Sequence, residues 1–554
     1  MIPWFHRSVI PCLLFEDEHL LVVNKPAGWN THAPNPYAGE GIYDWLRHRE
    51  PRWAKLAIIH RLDKETSGVL VFGKTPLANR SLTEQFASRA VRKKYLLLTD
   101  REPKQHEFTA KSKIIRVGER YASGTNGEAA ETRFQIRNPK SEIQDQNEPS
   151  YIICYELEAE PLTGRTHQIR VHAAENGFPI LGDVLYGGRP FQRVCLHASE
   201  LRLRHPSSGE GMEFKAAADF SADARLALRQ AMIEPESTDA FRLIHGASDG
   251  EPAWYVDRLG EFLLSQSERG LTEDQRLHLA TLCHVKAAYH KILNRQIRGR
   301  NVNEASPRLV AGEAAPARFS ICENGIKFEL SFEEGCSVGL FLDQRDNRRR
   351  FLTGHVAAGF PLFNSGIRPA ATARRHGENP KPEILNAFAY TCGYSVCAAK
   401  AGARTTSLDL SKKYLEWGKQ NFALNDLNPA DHDFIYGDVF DWLKRLAKKG
   451  RKFDVVVLDP PTFSQSKQHG TFRVEKDYGK LVALALPLTK LGGVLFASTN
   501  AVSWPPEKFI AVAEASVHAV KRSIGQRHYA PQPPDFPVSR SEPAYLKTLW
   551  LRVD

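Results

Sequence analysis

Residues 453–467 read FDVVVLDPPTFSQSK, an apolar run that stops at Asp459 and meets two prolines at once. A continuous Val/Leu run bounded by turn residues fits a strand covered on both faces, as in a parallel sheet. Pro460 and Pro461 cannot extend the ladder, so the chain leaves the sheet there as a rigid shelf with a carboxylate at its root. Working outward, EILNAFA (383–389), TTSLDLS (405–411), FIYGD (434–438) and GGVLFAST (492–499) repeat the apolar pattern. Amphipathic stretches such as KKYLEWGKQNFALN (412–425) alternate with them. That alternation predicts a doubly wound parallel sheet, whose ligands bind at the carboxyl ends of the strands.

The turn YTCGYS places Gly393 between the first strand and a helix, and Asp409 ends the next strand about twenty residues on. An acidic residue there suits ribose hydroxyls. The glycines of a G-x-G-x-x-G turn are absent, which argues against a dinucleotide and toward S-adenosylmethionine, a nucleoside without a pyrophosphate. Asp438 closes the third strand, where it would face an adenine amino group.

The whole chain has 554 residues, enough for three to four domains at about 150 residues each. With 42% hydrophobic and 25% charged residues it is ordinary for a globular protein, which excludes a disordered chain, a fibre or a membrane bundle. Lys+Arg outnumber Asp+Glu by 75 to 64, a formal charge of +11 that favours a polyanionic partner. The eight cysteines stand at 12, 154, 195, 283, 322, 336, 392 and 397, without a C-x-x-C pair or a zinc spacing. Reduced thiols, no metal and a cytoplasmic location are expected. Glu16, Asp17 and Glu18 interrupt the apolar N-terminus, so no signal peptide is expected, and no apolar run is long enough to span a membrane.

The first half reads differently. LLVVNKP, GVLVFGK, KYLLLT and YIICYELEAE are short β-rich runs separated by turns, predicting a mixed or antiparallel sheet. Polar composition marks 138–150 and 305–316 as loops, with a further loop at 366–382 and a linker near 231–239. Between strand and turn, HRLDKETSG (60–68) carries Arg61 and Asp63. Alone this fits a turn-capping Asp beside an Arg. Its company is NKPAGWNTH (24–32), RKKYLLL (92–98), PLTGRTHQIR (161–170) and LHASELRLRHP (196–206).

These segments, in this order, resemble the RluA-type pseudouridine synthases over about residues 10–218. The resemblance implies that Asp63 attacks uridine, that Tyr95 shields the base and helps remove the C5 proton, and that Arg170 pairs with Asp63. Arg61 would contact RNA. The chemistry exchanges a C–N for a C–C glycosidic bond and needs no metal, and the target base must leave its stack. The N-terminal RNA-binding domain common in that family has no room before Cys12, so RNA docking is expected to involve the other half.

From about Phe241 onward the chain resembles class I S-adenosylmethionine-dependent methyltransferases of large-subunit ribosomal RNA. The match runs through SVGLFLDQRDNRR (337–349), and TTSLDLSKKYLEWGKQNFALNDL (405–427) and DPPTFSQSK (459–467) look most like the guanine-N7 module acting on 23S rRNA. A related branch methylates cytosine C5, normally through an added Cys. Here LFASTN offers Ser498 and Thr499 at that position, the shelf offers Asp459, and Cys392 sits in the cofactor turn. By the resemblance, Phe341, Asp343, Arg345 and Phe388 line the cofactor pocket with Gly393, Asp409 and Asp438, while Asp459 serves catalysis. Arg348–Arg350 read as a solvated helical face.

The expected architecture is an α+β synthase domain (1–230), a small α+β substrate-binding subdomain (240–335) and an α/β Rossmann-like methyltransferase domain (336–554). The expected protein is a bifunctional RNA-modifying enzyme with S-adenosylmethionine as cofactor and 23S rRNA as partner. Two alternatives stand beside it: a cytosine-C5 methyltransferase half, or a ribosome-assembly factor with one half inactive.

Overall fold

The computed structural model describes residues 10–39, 41–144, 151–282, 285–293, 306–335, 337–363, 381–466 and 470–554. The loop expected at 366–382 falls largely outside them, as do Cys283 and Cys336. Among the described residues, no helix is long and apolar enough to cross a membrane.

The C-terminal sheet has the spatial order Asp433–Tyr436, Arg404–Asp409, Glu383–Ala387, Phe453–Leu458, Thr489–Thr499, Lys547–Val553, Ile524–Ala530. All pairings are parallel except those of Lys547–Val553, which runs against both neighbours. The shelf strand shows why the apolar run is uninterrupted. Val455 and Val457 enter one core beside Tyr394 and Leu415, and Val456 and Leu458 enter the other beside Leu443 and Phe509. The chain order reverses between Glu383–Ala387 and Phe453–Leu458, which places a crevice at their carboxyl ends.

The N-terminal sheet has eleven strands and is antiparallel except where Ser67–Gly73 pairs with Leu196–Arg204. Gly68 makes that pairing possible: its φ is +117°, and a β-carbon would lie 2.2 Å from the Ala198 carbonyl oxygen. Two polar segments expected as loops are strands. Residues 138–144 extend the strand Glu128–Gln144, paired with Tyr151–Pro161 through two register irregularities, and Arg308–Gly312 pairs with Ala287–Ile292. Exposed antiparallel ribbons and edge strands carry polar residues without losing their ladder, so composition misled there.

The middle sheet, Ala240–His245 to Arg308–Gly312, shares cores with both neighbours. Leu243, Ile244 and Trp254 pack with Trp29, Leu62 and Leu70 of the first half, while Phe262 and Leu264 join the core of Val455 and Trp550. At the junction of all three parts lies Asp535, fully buried. Its carboxylate accepts two bonds from Arg345 (2.5 and 2.8 Å) and one from the Arg242 backbone N–H (3.0 Å), and its carbonyl accepts from Arg229 (3.0 Å).

Arg348, Arg349 and Arg350 are buried, which corrects the expected solvated face. Arg348 pairs with Glu323, Arg349 with Glu50 of the first half, and Arg350 donates to the Val356 carbonyl.

Burial raises the Asp535 carboxyl, but Arg345 and its hydrogen bonds outweigh that and hold it below its ordinary 3.8. A depressed native pKa adds stability that is present above the unfolded value and lost as pH falls through the native one. Asp535→Asn, which strands a buried guanidinium, is expected to cost about 3 kcal/mol or more in urea unfolding at pH 7. The gap between variant and wild type should close below pH 4.

Candidate active sites

The loop 60–66 is fixed from beneath. Thr31 Oγ1 donates to the Leu62 carbonyl (2.8 Å) and accepts from its N–H (3.2 Å). The Lys64 carbonyl accepts from Gly28 N–H (2.8 Å) and from the Lys25 ammonium (3.2 Å), which also donates to the carbonyl of Trp29 (2.7 Å). Burial pushes Lys25 down to about 7, opposed by Glu65 and Asp63. With Leu62 buried and its neighbours pinned, Asp63 stands half-buried in a cleft of about 1190 Å³. Arg61, Tyr95 and Arg170 line the same cleft. Burial, then Asp63, pushes the Tyr95 phenol well above its ordinary range, so Tyr95 stays protonated.

The facing wall is the turn 163–167 and the helix Gln168–Glu175. Gln168 fixes the turn: its carbonyl accepts from Thr163 Oγ1 (2.7 Å) and Arg165 N–H (3.0 Å), and its amide donates to Thr132 Oγ1 (2.9 Å). The expected Arg170–Asp63 pairing is looser than the resemblance implies, because the closest atoms are 4.0 Å apart. Arg170 instead makes two 2.7 Å bonds to Asp183, which is buried, and stands 3.9 Å from Glu65. Burial lowers the Arg170 pKa, but Asp183 outweighs it and raises the group overall. The reading of the sequence missed Asp183; a lone Asp in LGDVLYG carries no pattern.

In the second half, the turn after Glu383–Ala387 holds three non-glycine residues in the left-handed region: Phe388 (φ +65°), Tyr390 (+47°) and Cys392 (+64°). Such strain persists where surroundings impose it and collects at binding sites. Asp409 imposes it here. One carboxylate oxygen accepts from Tyr390 N–H (2.8 Å), and the other accepts from Ser411 N–H (2.8 Å). The four lone pairs of the carboxylate outnumber its backbone donors, which leaves room for a ribose hydroxyl. Gly393 opens the helix Gly393–Lys400, Phe388 packs toward Phe472, and half-exposed Phe341 lies 5.4 Å from the Tyr390 ring. Asp438 caps the helix Val439–Lys448 through Phe440 N–H (2.9 Å).

Two carboxylates face one another electrostatically at the crevice. Burial lifts Asp459 to about 6, with Ser498 opposing and Asp343 adding to the rise. Gln344 donates its amide to Asp459 (3.2 Å) and to Ser498 (2.9 Å). Asp343 accepts from Tyr545 (2.9 Å), and its other oxygen, buried, has no hydrogen-bond partner. Arg345 departs from expectation: it is buried, and both its terminal nitrogens are held by Asp535, so it braces the wall rather than offering them to a ligand. Cys392 is fully buried and burial pushes its thiol to about 12, so it is no nucleophile. The described residues contain no cluster of metal-ligating side chains. A strained nucleoside-sized turn, an open carboxylate edge and an orphaned buried acceptor fit S-adenosylmethionine.

Comparison with known proteins agrees with two sites. The RNA pseudouridylate synthase family matches residues 19–175, and the S-adenosylmethionine-dependent methyltransferase family matches residues 370–552. A ribosomal RNA large subunit methyltransferase of Deinococcus radiodurans is 31% identical, covering 60% of this chain and 78% of that protein. Ribosomal RNA large subunit methyltransferase I of Escherichia coli is 31% identical over 59% of this chain and 77% of its own. Ribosomal large subunit pseudouridine synthase C of Yersinia pestis is 38% identical over 38% of this chain and 67% of its own. A crystal structure of a protein assigned as a methyltransferase, complexed with SAH, aligns at TM-score 0.50 and 25% identity, covering 64% of this chain and 87% of that one.

The protein is therefore an enzyme that joins a pseudouridine synthase domain to an S-adenosylmethionine-dependent methyltransferase domain. It belongs to the family of ribosomal RNA large subunit methyltransferases.

Asp183→Asn weakens the clamp that aims Arg170 into the cleft. Pseudouridine formation should fall by about tenfold or more, the equivalent of about 1.4 kcal/mol, while methyl transfer by the same preparation is unchanged.

Proposed function

We propose that this chain modifies large-subunit ribosomal RNA twice, isomerising a uridine of 23S rRNA in the N-terminal cleft and methylating guanine N7 at the C-terminal crevice. The proposed division is 1–230, 240–335 and 336–554, acting in the cytoplasm. In the first site Asp63 is the nucleophile, Tyr95 the wall against the base, Arg170 the cation that favours ionised Asp63, and Arg61 an RNA contact. In the second, Asp409, Asp438, Gly393, Phe388, Phe341 and Asp343 hold the cofactor, and Asp459 acts on the transferring methyl.

The observation that carries guanine N7 is the chemistry around Asp459. Bound S-adenosylmethionine supplies an electrophilic methyl group. Guanine N7 offers an in-plane lone pair, needs no proton removed and becomes cationic on methylation. Asp459 and Asp343, both partly buried, put negative potential where that charge arrives. Cytosine C5 needs a thiolate, and the side chains beside Asp459 include Gln344, Ser498 and Tyr394. Sugar-phosphate contacts from the basic chain supply the rest of the affinity.

Mass mapping of 23S rRNA treated with the purified protein and S-adenosylmethionine tests this reading directly. One new pseudouridine and one 7-methylguanine are expected; 5-methylcytosine would establish the alternative branch. Asp63→Asn should remove the pseudouridine alone, and Asp409→Ala should abolish S-adenosylmethionine binding by calorimetry. Because Asp459 acts ionised, methyl transfer should climb as pH rises through about 6 and then level off, a climb absent from Asp459→Asn.

A further inference from the structure

We infer that Lys93 is the phosphate anchor of the isomerase cleft, its ammonium holding the phosphodiester beside the uridine whose base lies against Tyr95; the inference rests on Asp63 being the nucleophile there. Lys93 and Tyr95 stand two residues apart on the strand Arg92–Thr99, so their side chains share a face about 7 Å apart. Both line the cleft. Lys94, between them, points to the other face and meets an acid of its own, Glu158, at 2.9 Å.

Lys93 has no such acid. Among the described residues its ammonium makes no hydrogen bond or ion pair. It lies 5.8 Å from the centre of the Phe86 ring and 3.7 Å from where a β-carbon on Gly164 would sit, between the two walls of the cleft. His60, stacked on Phe86 at 4.7 Å, offers it no acceptor. The Nε2 atom of that ring takes the Val71 backbone N–H (3.2 Å), which leaves the ring proton on Nδ1. Burial, then Lys93, pushes the His60 pKa down to about 3. The other lysines and arginines that line the cleft either stand beside a carboxylate, as Arg133, Arg165 and Arg170 do, or are exposed to water. Lys93 alone among them is half-buried and unmatched, and burial lowers its pKa. A cation withdrawn from water without a counter-charge is costly, and an arriving anion removes that cost.

Depth along the strand says which anion. Arg92 is exposed, Lys93 half-buried and Leu97 fully buried, so Lys93 lies nearer the mouth than Tyr95. A flipped nucleotide enters base first and leaves its phosphates toward the mouth. The phosphodiester therefore falls at the depth of Lys93 while the uracil reaches Tyr95 and Asp63. An ammonium is a point charge with three donors and no fork, so it grips phosphate oxygens and reads no base. Lys93 would thus set how far the nucleotide enters, whatever its neighbours in the RNA sequence.

The test uses the full-length protein and a 23S rRNA fragment containing the uridine that wild type converts. The fragment is made with a natural backbone, or with one neutral methylphosphonate on the 5′ or the 3′ side of that uridine. On the natural backbone Lys93→Gln should raise KM for pseudouridine formation about tenfold, the loss of one charged hydrogen bond, with kcat near wild type. The slope of log KM against log salt should flatten by about 0.7. Lys93→Arg, which keeps the charge, should restore most of the affinity. A methylphosphonate on one side should cost wild type the same factor and cost Lys93→Gln nothing more. Wild type indifferent to both methylphosphonates would overturn the assignment, whatever the variants do. A loss in Lys93→Gln confined to kcat, with KM and the salt slope unchanged, would also overturn it and put the ammonium on the departing uracil. Pseudouridine formation surviving in Asp63→Asn would instead sink the reading of the cleft, and the part of Lys93 with it.

Discussion

Three parts of the chain meet on one buried anion. Asp535 receives Arg345 from the methyltransferase half, the backbone of Arg242 from the middle sheet and Arg229 from the helix that ends the synthase half. A carboxylate without exposure is tolerable only when its charge is matched and its lone pairs filled. That requirement fixes the relative placement of the three segments within hydrogen-bond tolerance. It also decides what Arg345 can do. Anchored to Asp535, Arg345 sets the start of the helix Arg345–Thr353, and the residues just before it, Asp343 and Gln344, are carried to Asp459.

The far face of that helix meets the synthase half. Trp45 donates to Asp346 (3.2 Å), Glu50 pairs with Arg349, and the Arg47 carbonyl faces His355 at 3.1 Å. The helix Ile42–Arg49 begins on the carbonyls of Asn30 and Thr31, and Thr31 is the residue that clamps Leu62 beside Asp63. Both catalytic loops are thus referred to one rigid frame. Shared cores make the same point apolarly, since the middle sheet completes a hydrophobic cluster on each side. This fusion is an integrated fold, with no tether between its halves.

Legibility followed sequence distance. The parallel sheet was readable because each strand announces itself within six residues, and Asp459 because two prolines mark its shelf. Asp63, Tyr95, Arg61 and Arg170 sit in one cleft, as their motifs imply. What escaped were pairings across the chain: Arg345 with Asp535 are 190 residues apart, and Arg349 with Glu50 are 299 apart. Without those partners, an Arg-rich helix reads as a wet face, and Arg345 reads as a pocket residue. Asp183 escaped because an isolated carboxylate has no local signature, although it makes the two shortest bonds to Arg170. Polar strands at 138–144 and 308–312 escaped because composition reports exposure, while the ladder depends on a neighbour far away.

Under the proposed function the two sites use carboxylates in opposite ways, and the difference lies in their surroundings. Asp63 is half-exposed beside an arginine that another acid already holds, so its charge is supported without being neutralised by a tight pair. A nucleophile locked in a bidentate bridge would have to break it before attacking; at 4.0 Å from Arg170, Asp63 in its proposed role would not. Asp459 is partly buried with a second acid adding to its raised pKa, and in the proposed reaction it needs no nucleophilicity, only a field that grows in value as positive charge moves onto a base. The first site therefore tolerates water at its rim and is shaped by an open, cation-lined cleft. The second must exclude water to make its carboxylates count, which explains why its wall is braced by buried ion pairs.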